Sequence, residues 1–128
     1  MALSEFSSNI LETCDVRLQK IVVAAAEVFP LLVIEGHRDK EQQNSMKRIG
    51  HSQLSWPNSK HNKTPSLAVD LVPRPVDWNN IKQFILMAGF VLGIAYSMEI
   101  KLRWGGDWDG DWNMKNQGFY DYGHFELI

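Results

Sequence analysis

The chain has 128 residues, 45% of them apolar, which suits one domain with a real core and excludes a disordered chain. Its net charge of -2 excludes nucleic-acid binding by bulk electrostatics. A single cysteine, Cys14, excludes an intramolecular disulfide and reads as a small apolar residue beside a helix.

The first ten residues, M-A-L-S-E-F-S-S-N-I, hold neither a basic leader nor an apolar run. No signal peptide is expected, so the protein is expected to begin in the cytoplasm. Asp15 can cap a helix over residues 16–29 whose stripe is Leu18, Ile21, Val22, Ala25 and Phe29, and Pro30 ends it. Residues 31–34 read as a short strand, and Gly36 turns the chain. A second helix is expected over 39–49, because Asp39 and Gln42 form a capping box and Gly50 suits the stop. Residues 50–66 form a polar loop carrying Trp56, Pro57 and Pro65. Residues 67–72 alternate as a strand, with Leu67, Val69 and Leu71 on one face and Ala68, Asp70 and Val72 on the other. Asp70 is thus an isolated charge where strands avoid one.

Asp77 can cap the longest helix, whose stripe is Ile81, Phe84, Ile85, Ala88, Leu92 and Ala95. Its apolar run over 84–95 is far shorter than the ~20 residues of a membrane span, so no membrane insertion is expected. Residues 100–104 read as a strand and 105–118 as a loop of glycines, aspartates and tryptophans. In a terminal strand over 123–128, His124 and Glu126 share one face and Phe125 and Leu127 the other. The fold class expected is α+β, one domain over 1–128 with helices packed on a small, mainly antiparallel sheet.

His61, Asp70 and His124 supply two imidazoles and one carboxylate, the ligands of a catalytic zinc that keeps one position open for water. Such a zinc lowers the pKa of that water toward ~7. Asp121, three residues before His124, stands where a general base is needed, or is a turn residue before Gly123. His37 and His51 have no partner at ligand spacing and read as ordinary loop histidines. Arg38 suits a bidentate grip on a substrate carboxylate, or is a solvated charge at a helix start. Gln42 either joins it or serves only the capping box.

Asp107, Asp109 and Asp111 alternate on a glycine-containing turn and are hard oxygen ligands, which suit calcium. They lack the full twelve-residue EF-hand pattern, and an acidic solvated loop is the other reading. Trp56, Trp78, Trp104, Trp108 and Trp112 read as core or wall residues, of which two or three could line a groove.

Five pieces in order resemble one known family: G-H-R-D-K-E-Q at 36–42, S-K-H at 59–61, L-A-V-D-L at 67–71, W-G-G-D-W at 104–108 and D-Y-G-H-F-E-L at 121–127. They resemble the zinc D-alanyl-D-alanine and L-alanyl-D-glutamate peptidases, most of all single-domain phage endolysins. The resemblance implies a Hedgehog/D,D-peptidase-like fold, with zinc on His61, Asp70 and His124 and Asp121 as the base. It gives Arg38 a hand in substrate binding or oxyanion stabilisation and makes Gln42 and Ser59 substrate contacts. From His61 to Asp70 is nine positions, two more than the usual S-x-H-x-x-G-x-A-x-D, and the glycine is missing from N-K-T-P-S-L. Those extra residues precede the strand, so they bear on groove shape more than on the metal. The expected function is hydrolysis of the L-alanyl-D-glutamate bond of peptidoglycan stem peptides. The expected setting is a monomer released from the host cytoplasm onto the periplasmic wall. A D,D-carboxypeptidase and a non-catalytic wall-binding or calcium-binding module are the alternatives.

Overall fold

A computed structural model describes residues 3–128; Met1 and Ala2, the start of the segment read above for a signal peptide, lie outside the described residues. In chain order the elements are α1 (Glu5–Leu11), α2 (Val16–Ala26), β1 (Leu31–Glu35), α3 (Lys40–Arg48), a 3-10 turn (Lys60–Asn62), β2 (Ala68–Pro73), α4 (Ile81–Ser97), β3 (Leu102–Gly105) and β4 (Asp121–Leu127). The four strands form one sheet in the order β1-β2-β4-β3, antiparallel throughout. This is the α+β architecture expected from the alternation of patterns.

Alternation along β2 and β4 splits the sheet into two faces. Val69 pairs with Phe125 and turns toward the helices, while Asp70 pairs with His124 on the opposite face. The helix-side face carries the core, in which Val69, Leu71, Phe125 and Leu127 meet Phe84, Met87 and Val91 of α4. Ile21, Val22 and Ala25 of α2 join the same core. Full burial of a side chain such as Phe125 stabilises the fold by about 1.5–3 kcal/mol. Gly123 has a steric reason to be glycine, because a Cβ there would stand 2.5 Å from the Leu71 carbonyl oxygen. No helix among the described residues is long and apolar enough to cross a membrane.

Four details differ from the expectation. Helix α1 was not anticipated. Ser4 caps it, and Ser7, buried on its inner side, accepts a hydrogen bond from Val33 N–H at 2.9 Å. That bond satisfies a donor on the edge strand β1, which would otherwise be open to solvent or to another chain. Helix α2 stops at Ala26, because Val28 and Phe29 both donate to the Ala25 carbonyl in a tightened last turn. Helix α4 is capped by Asn80, not Asp77, whose side chain instead closes a preceding turn by accepting from Asn79 N–H. β4 starts two residues earlier than expected, at Asp121, beside a register shift between Trp104 and Gly105. The capping box of α3 is as expected, with Asp39 accepting from Gln42 N–H and the Gln42 side chain accepting from Asp39 N–H.

Candidate metal centre

Three elements bring His61, Asp70 and His124 together. Antiparallel register sets Asp70 of β2 directly across from His124 of β4. The 3-10 turn delivers His61, and Ser59 starts that turn by accepting from His61 N–H at 3.2 Å. Asn62 closes it by accepting from Ser59 N–H and donating to the Arg38 carbonyl at 3.0 Å. The longer His61–Asp70 connection therefore leaves the ligands together, and the expected separation of loop from strand holds.

The donor atoms form a nearly equilateral triangle. His61 Nε2 is 3.2 Å from Asp70 Oδ1 and 3.3 Å from His124 Nδ1, and His124 Nδ1 is 3.1 Å from the same Asp70 oxygen. A tetrahedral ion with ligands at about 2.0–2.1 Å separates its donors by roughly 3.3 Å. Outer hydrogen bonds fix both ring tautomers. His61 Nδ1 lies 2.7 Å from the Gly36 carbonyl, which can only accept, so the hydrogen is on Nδ1. His124 Nε2 lies 2.8 Å from Glu126 Oε1, so its hydrogen is on Nε2. Once a cation takes the place of any further proton, two nitrogen lone pairs and a carboxylate oxygen converge on it. Such a cluster repels itself unless a cation or a proton sits within it.

The titration of the cluster carries the same message. Burial works to raise Asp70, but the charges and hydrogen bonds of His61 and His124 hold it far below the usual carboxylate range. Burial works to lower the His124 ring, yet hydrogen bonds to Asp70 and Glu126 and the charges of Asp70 and Asp121 push it up to about 10. The anionic surroundings call for positive charge at this point.

Asp121 lines the same cleft as the triad. The register shift in β4 interrupts simple alternation between Asp121 and His124 and allows both to face it. Burial first, then the charge of Asp70, raise the Asp121 carboxyl above its ordinary range, against the pull of His124, His61 and Arg38. A carboxylate made more basic in this way is suited to accept a proton.

Arg38 is buried, not solvated. Its Nη1 donates to Gln43 Oε1 at 2.7 Å, and its Nη2 stands 3.8 Å from the second oxygen of Asp70. Glu35 lies 3.5 Å from its Nε. Gln42 is exposed, with its side chain spent on the capping box, and it is Gln43 that turns inward. Gln43 Nε2 donates to the Leu54 carbonyl at 2.6 Å and to Ser52 Oγ at 3.0 Å, which ties the polar loop to Arg38. Sequence reasoning missed Gln43. The signal was its position three residues before Met46, the one large apolar residue of α3, which places both on the inward face.

The cleft encloses about 1210 Å³ and is lined in part by Trp78, Trp108, Phe119 and Tyr120. Trp108 sits 5.4 Å from the His124 ring and stacks on Phe119. Two tryptophans therefore line the groove, while Trp104 is buried and Trp56 and Trp112 are exposed. Of the other histidines, His37 is outside the cleft and the exposed His51 lies on its wall.

A second cluster lies on the loop between β3 and β4. One carboxylate oxygen from each of Asp107, Asp109 and Asp111 falls within 4.8 Å of the others. Asp107 is only 7% exposed; one oxygen accepts from Trp112 N–H at 2.8 Å, and the other, Oδ1, is buried without a hydrogen-bond partner. Burial first and its acidic neighbours after it raise the Asp107 carboxyl above its ordinary range, against the Trp112 bond.

The comparisons with known proteins point to one peptidase family. The family model for phage L-alanyl-D-glutamate peptidases matches residues 1–128. An L-alanyl-D-glutamate peptidase of Escherichia phage T5 is 31% identical over 130 residues, covering 95% of this chain and 94% of that protein. The crystal structure of the Serratia marcescens L-Ala D-Glu endopeptidase ChiX superposes with a TM-score of 0.78 at 27% identity, over 100% of this chain and 90% of that one.

Proposed function

The chain belongs to the phage L-alanyl-D-glutamate peptidase family and is a peptidoglycan-cleaving peptidase, and from that premise we propose that it is a zinc-dependent endolysin. In this reading residues 1–128 are one peptidase domain, acting as a monomer. It passes from the host cytoplasm to the periplasmic wall and there hydrolyses the bond between L-alanine and D-glutamate of the stem peptide. The convergence of His61 Nε2, Asp70 Oδ1 and His124 Nδ1, with both tautomers fixed from outside, carries the metal assignment. Two imidazoles and one carboxylate at these separations suit zinc better than the harder, oxygen-seeking cations. When bound there, zinc supplies a Lewis acid that polarises the scissile carbonyl and makes water acidic enough to attack at neutral pH.

The chain's own groups do the rest. Asp121 takes a proton from the attacking water and passes it to the D-glutamate nitrogen as the C–N bond breaks. The Arg38 guanidinium, held by Gln43, offers positive charge to the developing oxyanion or to a stem-peptide carboxylate. The Ser59 hydroxyl lies on the cleft wall, where it can donate to the peptide. Gln43, in place of Gln42, supports the substrate side by fixing Arg38. The family match disfavours the D,D-carboxypeptidase and the non-catalytic module, and the gathering of His61, Asp70, His124 and Asp121 in one cleft supports the catalytic reading.

Elemental analysis of protein purified without added metal is expected to find one zinc per chain. Mass spectrometry of digested peptidoglycan is expected to find new L-alanine carboxyl ends and new D-glutamate amino ends. Full activity after thorough chelation, with no zinc detected, overturns the metal assignment. Products ending elsewhere in the stem overturn the bond assignment.

A calcium site at Asp107, Asp109 and Asp111 is favoured by one further observation, the unpartnered and buried Asp107 Oδ1. Calcium would give that oxygen a partner and remove the repulsion among the three carboxylates. The loop leads from β3 into Asp121 and His124, so ordering it would order the base. Such a site would be empty at low cytosolic calcium and fill outside the inner membrane, delaying lysis.

A further inference from the structure

The two histidine ligands are oriented by different means. For His61 the outer partner is a backbone carbonyl, Gly36, which cannot change its character. For His124 it is a side chain, Glu126, two residues on and on the same face of β4. A neutral imidazole carries one hydrogen, and whichever nitrogen holds it cannot bind a metal. Something must therefore keep the hydrogen of His124 on Nε2.

Glu126 is 9% exposed, and a carboxylate so buried needs compensation. It is held from both neighbouring elements. Arg103 of β3, its cross-strand partner, stands 3.5 Å from Glu126 Oε2, and Lys60 of the 3-10 turn stands 3.9 Å from the same oxygen. Lys60 also donates to the Leu127 carbonyl and is the residue before His61. One oxygen of Glu126 thus faces the His124 ring, and the other faces two cations.

We propose that Glu126 is a positioning residue that selects the metal-facing nitrogen of His124 and, through Lys60, ties the turn bearing His61 to the strand bearing His124. The inference rests on the metal reading of the triad. Arg103 and Lys60 engage Oε2, which leaves Oε1 aimed at the ring to accept from it. Replacement by glutamine exposes this logic. If the amide NH2 took the place of Oε2 it would face two cations. If it turned to His124 it would donate to Nε2 and drive the hydrogen onto Nδ1. Either way the support is weakened, although size and shape are kept.

The test measures zinc affinity by chelator competition, and the ring form of His124 by long-range ¹H–¹⁵N correlation on the zinc-bound chain. Wild type is expected to show the Nε2–H form. Glu126→Ala is expected to lose that preference and to bind zinc about 10–100-fold more weakly, with Glu126→Gln between it and wild type. If Glu126→Ala does not fold, Glu126→Gln decides the matter with the same two readouts. Variants that keep the Nε2–H form and bind zinc within about twofold of wild type overturn the proposal. A wild-type chain that binds no zinc overturns the metal reading instead, whereas a wild type that binds it and variants that match it overturn the role of Glu126.

Discussion

His61, Asp70 and His124 are held by partners far away in the chain, whereas Asp107, Asp109 and Asp111 are held by their immediate neighbours. The first cluster sits at a cross-strand pair of a central sheet, and Gly36, Glu126 and Arg38 back its members from outside. The second sits on one loop, where Asp109 accepts from Asp111 N–H at 3.4 Å and Asp111 from Asn113 N–H at 2.8 Å. A site built on the sheet is preorganised before its ion arrives, and local opening of the fold reaches it last. A site built on a loop is ordered by its ion, so its occupancy can report the surroundings. The first arrangement suits chemistry and the second suits control.

That contrast is most exposed at Asp121, which belongs to the chemical cluster but begins where the loop ends. Asp121→Asn is expected to lower kcat by ~10²–10⁴ while zinc content and melting temperature stay at wild-type values. Steady-state turnover of soluble stem peptide, beside metal analysis, checks it. Near wild-type kcat would mean that some other group is the base. A variant that also lost its zinc would mean that Asp121 is part of the scaffold.

The next effect concerns preorganisation itself. A Cβ on Gly36 would overlap Thr13 Oγ1 and stand 2.8 Å from the Ile10 carbonyl oxygen and 3.0 Å from Cys14 Sγ. These atoms belong to α1 and the turn after it, so the Gly36 carbonyl is aimed at His61 by packing against that region. Gly36→Ala is expected to destabilise the fold by about 1–3 kcal/mol. It should also weaken zinc binding by roughly 10-fold, as loss of an outer partner does. Denaturant unfolding and chelator competition measure the two separately. A variant that loses stability but keeps full zinc affinity would show that the carbonyl is not what orients His61.

How far these features were legible follows the same division. The triad, Asp121 and the acidic loop stand out because each is a chemical type at an unusual place, such as a lone aspartate inside a strand. The Asp39 and Gln42 capping box is legible because both partners lie within four residues. Gln43 and Glu126 were not read as functional, because their importance lies in Arg38 and Leu54 for one and His124, Lys60 and Arg103 for the other. Lys60 and Arg103 reach Glu126 only once the turn and β3 have folded beside β4. Helix α1 is short, and it is justified by a bond to Val33 that nothing local announces. The start of α4 was misplaced because Asp77 and Asn80 are both good caps, and only the fold decides between them.

For the loop, calorimetry is expected to show calcium binding to wild type with a dissociation constant in the ~10⁻⁷–10⁻³ M range, and none to Asp109→Ala. Activity of the wild type should rise with calcium and fall with a calcium-selective chelator, while zinc content is unchanged. Indifference of both heat and activity to calcium would reduce the loop to a solvated acidic turn.

The smallest effect is also the most discriminating, because its sign changes with conditions. Asp107→Asn removes one of three converging charges. It can keep the bond from Trp112 N–H through its amide oxygen and turn its NH2 toward Asp109 and Asp111. The oxygen that lacks a partner becomes a donor among acceptors. In chelator the variant is therefore expected to be more stable than wild type by about 0.5–1.5 kcal/mol, the scale of one hydrogen bond. That is a rise of about 4 °C in melting temperature per kcal/mol for a chain of this size. In excess calcium the order should reverse, since wild type gains binding energy on the folded state and the variant has lost a ligand. A variant more stable than wild type in both media would mean that Asp107 carries an uncompensated charge with no ion to answer it. A variant less stable in both would mean that its carboxylate is held by the fold alone. Only the crossover fits a loop whose one buried, unpartnered oxygen is kept for a cation.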